Sequence, residues 1–119
     1  MNLDFSDDQK FLQEEANKFF TKEDTLKRTR AIMESDEPFD KELWNKVIEL
    51  GWTAIRIPEQ HGGLGLSHLE LCVIAEEIGK SLAPIPFSSS VYVYTEALIE
   101  SNNRLLKIHC FPPLQMDLL

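Results

Sequence analysis

Positive charge is scarce in this sequence. Twelve Lys and Arg stand against twenty Asp and Glu, for a formal net charge of −8. Such a surface repels phosphate backbones and anionic headgroups, which argues against nucleic acid and against membranes as partners. A small anionic ligand would have to meet the chain through its apolar part. Long apolar runs are missing too, so no stretch reads as a transmembrane span. The start Met1-Asn2-Leu3-Asp4 has no basic segment followed by an apolar run, and neither a signal peptide nor a transit segment is expected. Only two cysteines are present, Cys72 and Cys110, too few for a disulfide framework. Cys72 falls in a helical apolar stripe and is expected as a buried, reduced thiol. The expected location is cytoplasmic.

What remains is enough for one core. The chain has 119 residues, of which 43% are hydrophobic, the size of a single domain. A domain this short buries a smaller share of its surface than a large enzyme, and little apolar area is left for an internal cofactor cavity.

The periodicity is helical almost throughout. Ser6-Asp7-Asp8-Gln9 reads as a capping box, followed by Phe11, Leu12, Ala16, Phe19 and Phe20 at three- and four-residue steps. A weaker stretch from Glu23 to Ser35 carries Leu26, Ile32 and Met33 and is expected as a half-exposed second helix, ended by Pro38. Asp40 caps a third helix with a stripe of Leu43, Trp44, Val47 and Ile48, and Gly51 terminates it. Trp52 to Ile57 is short, β-branched and extended in character. Pro58 to Leu66 holds three glycines in four positions and reads as a tight loop with positive φ angles. Ser67-His68-Leu69-Glu70 is a capping box for a fourth helix, whose apolar face is Leu71, Cys72, Ile74, Ala75 and Ile78, with Gly79 closing it. After the Pro84-Ile85-Pro86 break a fifth helix runs from about Phe87 to Ser101, with Phe87, Val91, Tyr94 and Leu98 in one row. From Arg104 to Leu119 no period emerges. Pro112-Pro113 should prevent one continuous helix there, leaving a short turn from Arg104 to His109 and a cluster of apolar residues. The expected fold is therefore all-α, an up-and-down bundle of about five helices.

The loop Pro58-Glu59-Gln60-His61-Gly62-Gly63-Leu64-Gly65 resembles the PExxGGxG signature of acyl-CoA dehydrogenases. Three further segments agree in order. They are Leu3-Asp4-Phe5-Ser6-Asp7-Asp8-Gln9, then Phe39 to Trp44 with Leu50-Gly51-Trp52, then Glu76-Glu77-Ile78-Gly79 with Pro84-Ile85-Pro86-Phe87. The resemblance covers residues from about Leu3 to Asn103 and is to the family's N-terminal helical domain. It implies that the full-length family carries a β-domain and a second helical bundle, binds FAD, and oxidises the CH–CH bond of acyl-CoA thioesters. A glutamate of the C-terminal bundle would be the base. No family catalytic residue and no FAD-binding residue maps onto this chain, so its own expected cofactor is none.

The resemblance also implies a Gln-Lys pair and a Leu-Pro-x-Leu stretch after Asn103, where this chain reads Arg104-Leu105-Leu106-Lys107-Ile108-His109-Cys110-Phe111-Pro112. The division expected is a helical domain over 1–103 and a divergent apolar tail over 104–119. A truncated or frameshifted chain is the first explanation, and a genuine element of a stand-alone protein the second.

Several constellations invite sharper readings. The glycine loop might cradle phosphate, but a dinucleotide fingerprint needs strands that this neighbourhood lacks, so a structural turn is expected. His61 and His68 with Glu59 or Glu70 do not have metal-site spacing. The His109-Cys110 neighbours read as incidental. Of Glu76 and Glu77, adjacent on a helix, one should face solvent and the other a neighbouring helix. The resemblance gives Phe87, Ser90, Val91 and Tyr94 a place in the wall of the acyl-tail cavity, with plain helix packing as the competing reading. The expected partners are further copies of the chain or the missing dehydrogenase domains, with acyl-CoA only in a complete enzyme. The rival functions are a stand-alone helical interaction module and one chain of a split dehydrogenase.

Overall fold

The computed structural model describes residues 4–115, with side chains to Pro112. Leu3, Met116, Leu118 and Leu119, and the side chain of Leu114, lie outside the described residues. Six α-helices follow one another: α1 (Asp7–Lys22), α2 (Thr25–Met33), α3 (Lys41–Glu49), α4 (His68–Ser81), α5 (Glu96–Glu100) and α6 (Arg104–Gln115). The described residues contain no strand, so the all-α expectation holds. The body is a slab of 43 × 41 × 19 Å, flatter than a sphere of this length would be.

Caps set the helix starts. The Gln9 amide donates to Ser6 Oγ at 3.2 Å, and the Ser6 amide donates to Gln9 Oε1 at 2.9 Å. These reciprocal bonds satisfy two orphan donors and fix the entry of α1. Asp40 Oδ1 accepts from the Leu43 amide at 3.0 Å and starts α3. Ser67 and Glu70 form the second capping box at α4, with the Ser67 amide donating to Glu70 Oε2 at 3.0 Å.

α1 lies along α4. Between them and α3 the core gathers Ala16, Phe20, Trp44, Val47, Ile48, Trp52, Ile55, Leu71, Ile74, Phe87 and Val91. Phe19 and Trp52 meet edge to face with centroids 5.3 Å apart, a geometry that adds to area burial. α2 is tied to the end of α4 by hydroxyls. Thr25 Oγ1 donates to the Ser81 carbonyl at 2.9 Å, and Thr29 Oγ1 donates to the Leu82 carbonyl at 2.6 Å.

Four local expectations are corrected. Trp52 to Ile57 is not extended. Gly51 turns left-handed (φ 81°) and the chain enters a single 3-10 turn, Trp52–Ala54. Trp52, Thr53, Ala54, Ile55 and Ile57 are all buried, so the β-branched content reflects burial on every side rather than a strand. α4 runs past Gly79 to Ser81, and Leu82 is the left-handed cap (φ 52°). Cys72 is exposed, not buried. The inward residues of α4 are Leu71, Val73, Ile74 and Glu77, which places Cys72 on the outer flank.

The fourth correction concerns Pro112 and Pro113, which do not break α6. The helix continues to Gln115. Each proline deletes one N–H, which frees a carbonyl one turn earlier, at Ile108 or His109. Both of those residues are exposed, so water can satisfy the freed groups. Phe111, 1% exposed, anchors the helix against Ala54, Ile57 and Leu98 in a second, smaller core. The chain after Asn103 thus folds back onto the helices before it.

Candidate functional site

The most irregular backbone follows Phe87. Ser88–Thr95 is wound as a π-helix before α5 continues it. π turns bond i to i+5 and are concentrated at functional positions. Winding the turn wider shifts the inward face. An α-helix would carry Phe87, Val91, Tyr94 and Leu98 on one side. Here Phe87, Val91, Thr95 and Leu98 are buried, and Tyr94 is 44% exposed. Three residues of the expected row, Phe87, Val91 and Leu98, are therefore core, and Tyr94 leaves it.

The four residues expected as a cavity wall separate accordingly. Phe87 stands edge to face with Trp44 (6.5 Å between centroids) and Tyr92 (5.6 Å). Val91 is fully buried in the same cluster. Ser90 is half-buried, and its carbonyl accepts from Thr95 Oγ1 at 2.7 Å. Tyr94 turns toward α6, where a hydrogen bond with Cys110, assisted by burial, raises its phenol above the ordinary value. The structure gathers Phe87 and Val91 in one core, leaves Ser90 half-buried beside Thr95, and turns Tyr94 away toward Cys110 of α6.

A groove of about 310 Å³ opens between α4 and the π segment, lined by His68, Leu71, Cys72, Ala75, Tyr92 and Glu96. Burial, and then the nearby Cys72, push the Tyr92 phenol up, so it is a neutral donor. Arg56 holds the carboxylate at the rim. Its Nε donates to Glu96 Oε1 at 2.7 Å and its Nη1 to the Leu66 carbonyl at 3.0 Å. His68 Nδ1 lies 3.9 Å from the same Glu96 oxygen. The arrangement is an apolar cleft with a positioned, already paired carboxylate at its mouth. It can receive an apolar group. Sequence reading missed Tyr92, Arg56, Glu96 and Thr95. An arginine between Ile55 and Ile57 is the one signal that pointed here, since a charge in an apolar run needs a partner.

The glycine loop offers no phosphate cradle. The amides of Gly62, Gly63, Leu64, Gly65 and Leu66 donate to the carbonyls of Glu59, Pro58, Ala54, Ile57 and Ile55. Gly62 (φ 84°) and Gly65 (φ 61°) are left-handed, whereas Gly63 is not. A Cβ on Gly63 would sit 2.1 Å from the Ile57 carbonyl oxygen, so close approach rather than backbone angle excludes a side chain. The loop is a turn that buttresses residues 54–57 and aims α4. Of the two adjacent glutamates, Glu76 is exposed, while Glu77 is 3% exposed and accepts from Asn17 Nδ2 at 3.2 Å. Among the described residues no three His, Cys, Asp or Glu converge as metal ligands, and no helix is long and apolar enough to cross a membrane.

Residues 6–115 match the family model described as acyl-CoA dehydrogenase, N-terminal domain. The chain belongs to that family. The acyl-CoA dehydrogenase IpdE2 of Mycolicibacterium smegmatis is 35% identical over 82 residues, which cover 68% of this chain and 26% of that protein. Mitochondrial isovaleryl-CoA dehydrogenase of Arabidopsis thaliana is 31% identical over 87 residues, covering 73% of this chain and 21% of the relative. In both cases the chain spans about a quarter or less of the relative's length. The crystal structure of the ChsE4-ChsE5 complex from Mycobacterium tuberculosis superposes with a TM-score of 0.82 at 22% identity, covering all of this chain and 30% of that one. At that identity the likeness is one of fold. The family match runs beyond Asn103 through the prolines of α6, which agrees with α6 being a folded helix. The FAD that the resemblance implies finds no cradle in the glycines of the loop, where the amides from His61 to Leu66 donate to backbone carbonyls.

Proposed function

We propose that this chain is the N-terminal helical part of an acyl-CoA dehydrogenase-like flavoprotein, providing wall and scaffold rather than the reacting groups. The observation that carries the reading is the family match over residues 6–115. In the complete enzyme FAD would accept the hydride when the CH–CH bond of an acyl-CoA thioester is oxidised. The π segment and α4 would form an apolar wall, with Phe87 and Val91 setting its depth from behind and Ser90 beside them, while Tyr94, turned toward α6, would belong to a wall on that other side. The 119 residues alone are inactive, and the protein acts in the cytoplasm, in company with further dehydrogenase domains or copies. A split enzyme, in which another chain supplies those domains, is supported by the slab shape and by exposed Val93, Tyr94, Leu105 and Ile108. A stand-alone interaction module is the rival that testing must separate.

Two measurements do this. The purified chain should be colourless and should not reduce a dye in the presence of acyl-CoA. A chimera in which it replaces the matching segment of the Mycolicibacterium smegmatis relative should retain flavin. A chimera that melts cooperatively yet holds no flavin would overturn the scaffold reading in favour of the module. A stoichiometric flavin spectrum in the 119-residue protein would overturn the claim that it is inactive alone.

A further inference from the structure

α2 is anchored differently from its neighbours. Its one buried residue is Thr25. Among the described residues, none from α2 belongs to either core, whereas α1, α3 and α4 all contribute. Leu26 is 51% exposed and Met33 79%. A helix of nine residues does not persist in water on its own propensity and needs tertiary contacts. Here those contacts are polar.

Two hydroxyls and one guanidinium supply them. Thr25 and Thr29 donate to the carbonyls of Ser81 and Leu82 at the end of α4. Arg28 Nε donates to the Glu23 carbonyl at 2.9 Å, and Nη2 to Glu23 Oε2 at 2.8 Å. Nη1 donates to Asp40 Oδ2 at 3.0 Å, and Nη2 also reaches Glu42 Oε1 at 3.2 Å. Glu23 precedes α2, and Asp40 and Glu42 follow it. One side chain thus pins both ends of the helix to residues outside it.

Both ends are also joints. Asp24 enters α2 in the left-handed region (φ 50°) with no side-chain cap bond. The other non-glycine residue with positive φ among the described residues is Leu82, which accepts from Thr29. Such backbone costs energy and gathers at switch regions. At the far end, residues 34–40 form a connector without helix, in which Ser35, Asp36 and Glu37 are exposed. A cavity of about 290 Å³ lies at the joint. Thr25 and Leu26 form one wall of it, and Phe20 of α1 and Glu77 and Ser81 of α4 face them. Phe20 and Glu77 are each 3% exposed.

We propose that α2 is a lid on this cavity. It opens as a unit about Asp24 and the 34–40 connector while α1 and α4 stay folded, and it uncovers the Glu77 side of the cavity. Arg28, Thr25 and Thr29 are the latch. Little apolar surface is lost on opening, and the released charges regain water, which is the character of a low-stability unit. The lid is remote from the cleft at the π segment and does not rest on the dehydrogenase reading.

The test is native-state hydrogen exchange on the full chain in rising denaturant. Amides from Thr29 to Met33 should exchange at least about tenfold faster than the slowest amides of α1 and α4, with little denaturant dependence, because opening exposes little surface. Arg28→Gln should speed α2 exchange by a further factor of about ten and leave the slowest α1 and α4 amides at the parent rate. Arg28→Lys, which keeps the charge without the fork, should fall between. A thiol placed on the cavity wall by Ser81→Cys should be alkylated faster when Arg28→Gln is added, as read site by site by mass spectrometry. Exchange of α2 together with α1 and α4 in one global opening would overturn the proposal. So would an Arg28→Gln variant that loses protection equally in all three helices. Equal alkylation of residue 81 with and without Arg28 would overturn the role of α2 at the cavity.

Discussion

The hydroxyl of Thr95 donates to the carbonyl of Ser90 at 2.7 Å, five residues back, and so repeats in a side chain the spacing of the π turn around it. Thr95 is fully buried. If the hydroxyl is removed, the Ser90 carbonyl keeps its place in the wide turn but loses this donor. The π turn still offers that carbonyl a backbone donor, so the loss is that of one hydrogen bond, about 0.5–1.5 kcal/mol. Thr95→Val should therefore lower the melting temperature by several degrees, and Thr95→Ser should recover most of the loss. A valine variant that melts with the parent would show that the hydroxyl does not hold the turn.

Close approach at Gly63 gives a sharper contrast. Gly63→Ala places a methyl against the Ile57 carbonyl, 2.1 Å away, and backbone must move to admit it. Gly79→Ala meets nothing within 4 Å and sits in a helix, where alanine is favoured over glycine by roughly 0.5–1 kcal/mol. Denaturant midpoints should move in opposite directions, with a large loss for Gly63→Ala and a small gain for Gly79→Ala. Equal midpoints for the two variants would mean the loop is not packed on residue 57.

The helix starts, the apolar stripe of α3 and the turn character of the glycine loop were legible because each follows from local chemistry. Ser6 with Gln9, Asp40 with Leu43, and Gly51 need only their neighbours in sequence. The π segment was not legible. Tyr94 fits an α-helical row as well as Thr95 fits a π row, and only packing chooses between them. Cys72 was misplaced for a related reason. Three apolar residues in succession, at 72, 73 and 74, do not say which lies at the edge of the face. The persistence of α6 through two prolines depends on Phe111 finding Ile57 and Leu98, a contact between distant parts of the chain. The family match likewise drew on order and spacing already visible in the sequence, whereas the groove at Tyr92 and Glu96 required three segments to come together.

The ion network around Arg28 gives stability a pH dependence. Its Nη1 donates to Asp40 Oδ2 at 3.0 Å and its Nη2 to Glu23 Oε2 at 2.8 Å. Burial works to raise the Asp40 carboxyl, but the Leu43 amide and the Arg28 guanidinium outweigh it and hold the group below the ordinary carboxylate range. A depressed folded value means that, as pH falls, the unfolded chain takes up its proton first. The stabilisation is therefore complete above the unfolded value of about 3.9 and is lost as pH drops through the lower folded value. Asp40→Asn keeps an N-cap acceptor and removes the charge. The stability gap between parent and variant should be present at pH 7, persist at pH 5, and close toward pH 2–3. A gap of constant size over that range would assign the effect to capping alone.

Self-association is the remaining expectation, and the fold relocates it. Phe87, Val91 and Leu98 are buried in the chain's own cores and cannot form an outward contact. The exposed apolar residues on this side are Val93 and Tyr94, at 67% and 44%, and on α6 Leu105, Leu106 and Ile108, at 69%, 43% and 53%. α5 and α6 are in contact, and Tyr94 reaches Cys110 across them. Removing apolar area from water yields about 25 cal/mol per Å², before the cost of association. A two-fold pairing would cover the same patch on both copies. Light scattering should therefore report a species larger than a monomer for the full chain, and Leu105→Glu/Ile108→Glu should restore the monomer without lowering the melting temperature, since both positions are exposed. A chain ending at Asn103 would be a poorer comparison, because it uncovers Ile57 and Leu98 and creates a new apolar patch. A full chain that stays monomeric at every accessible concentration would rule out this surface as a contact between copies.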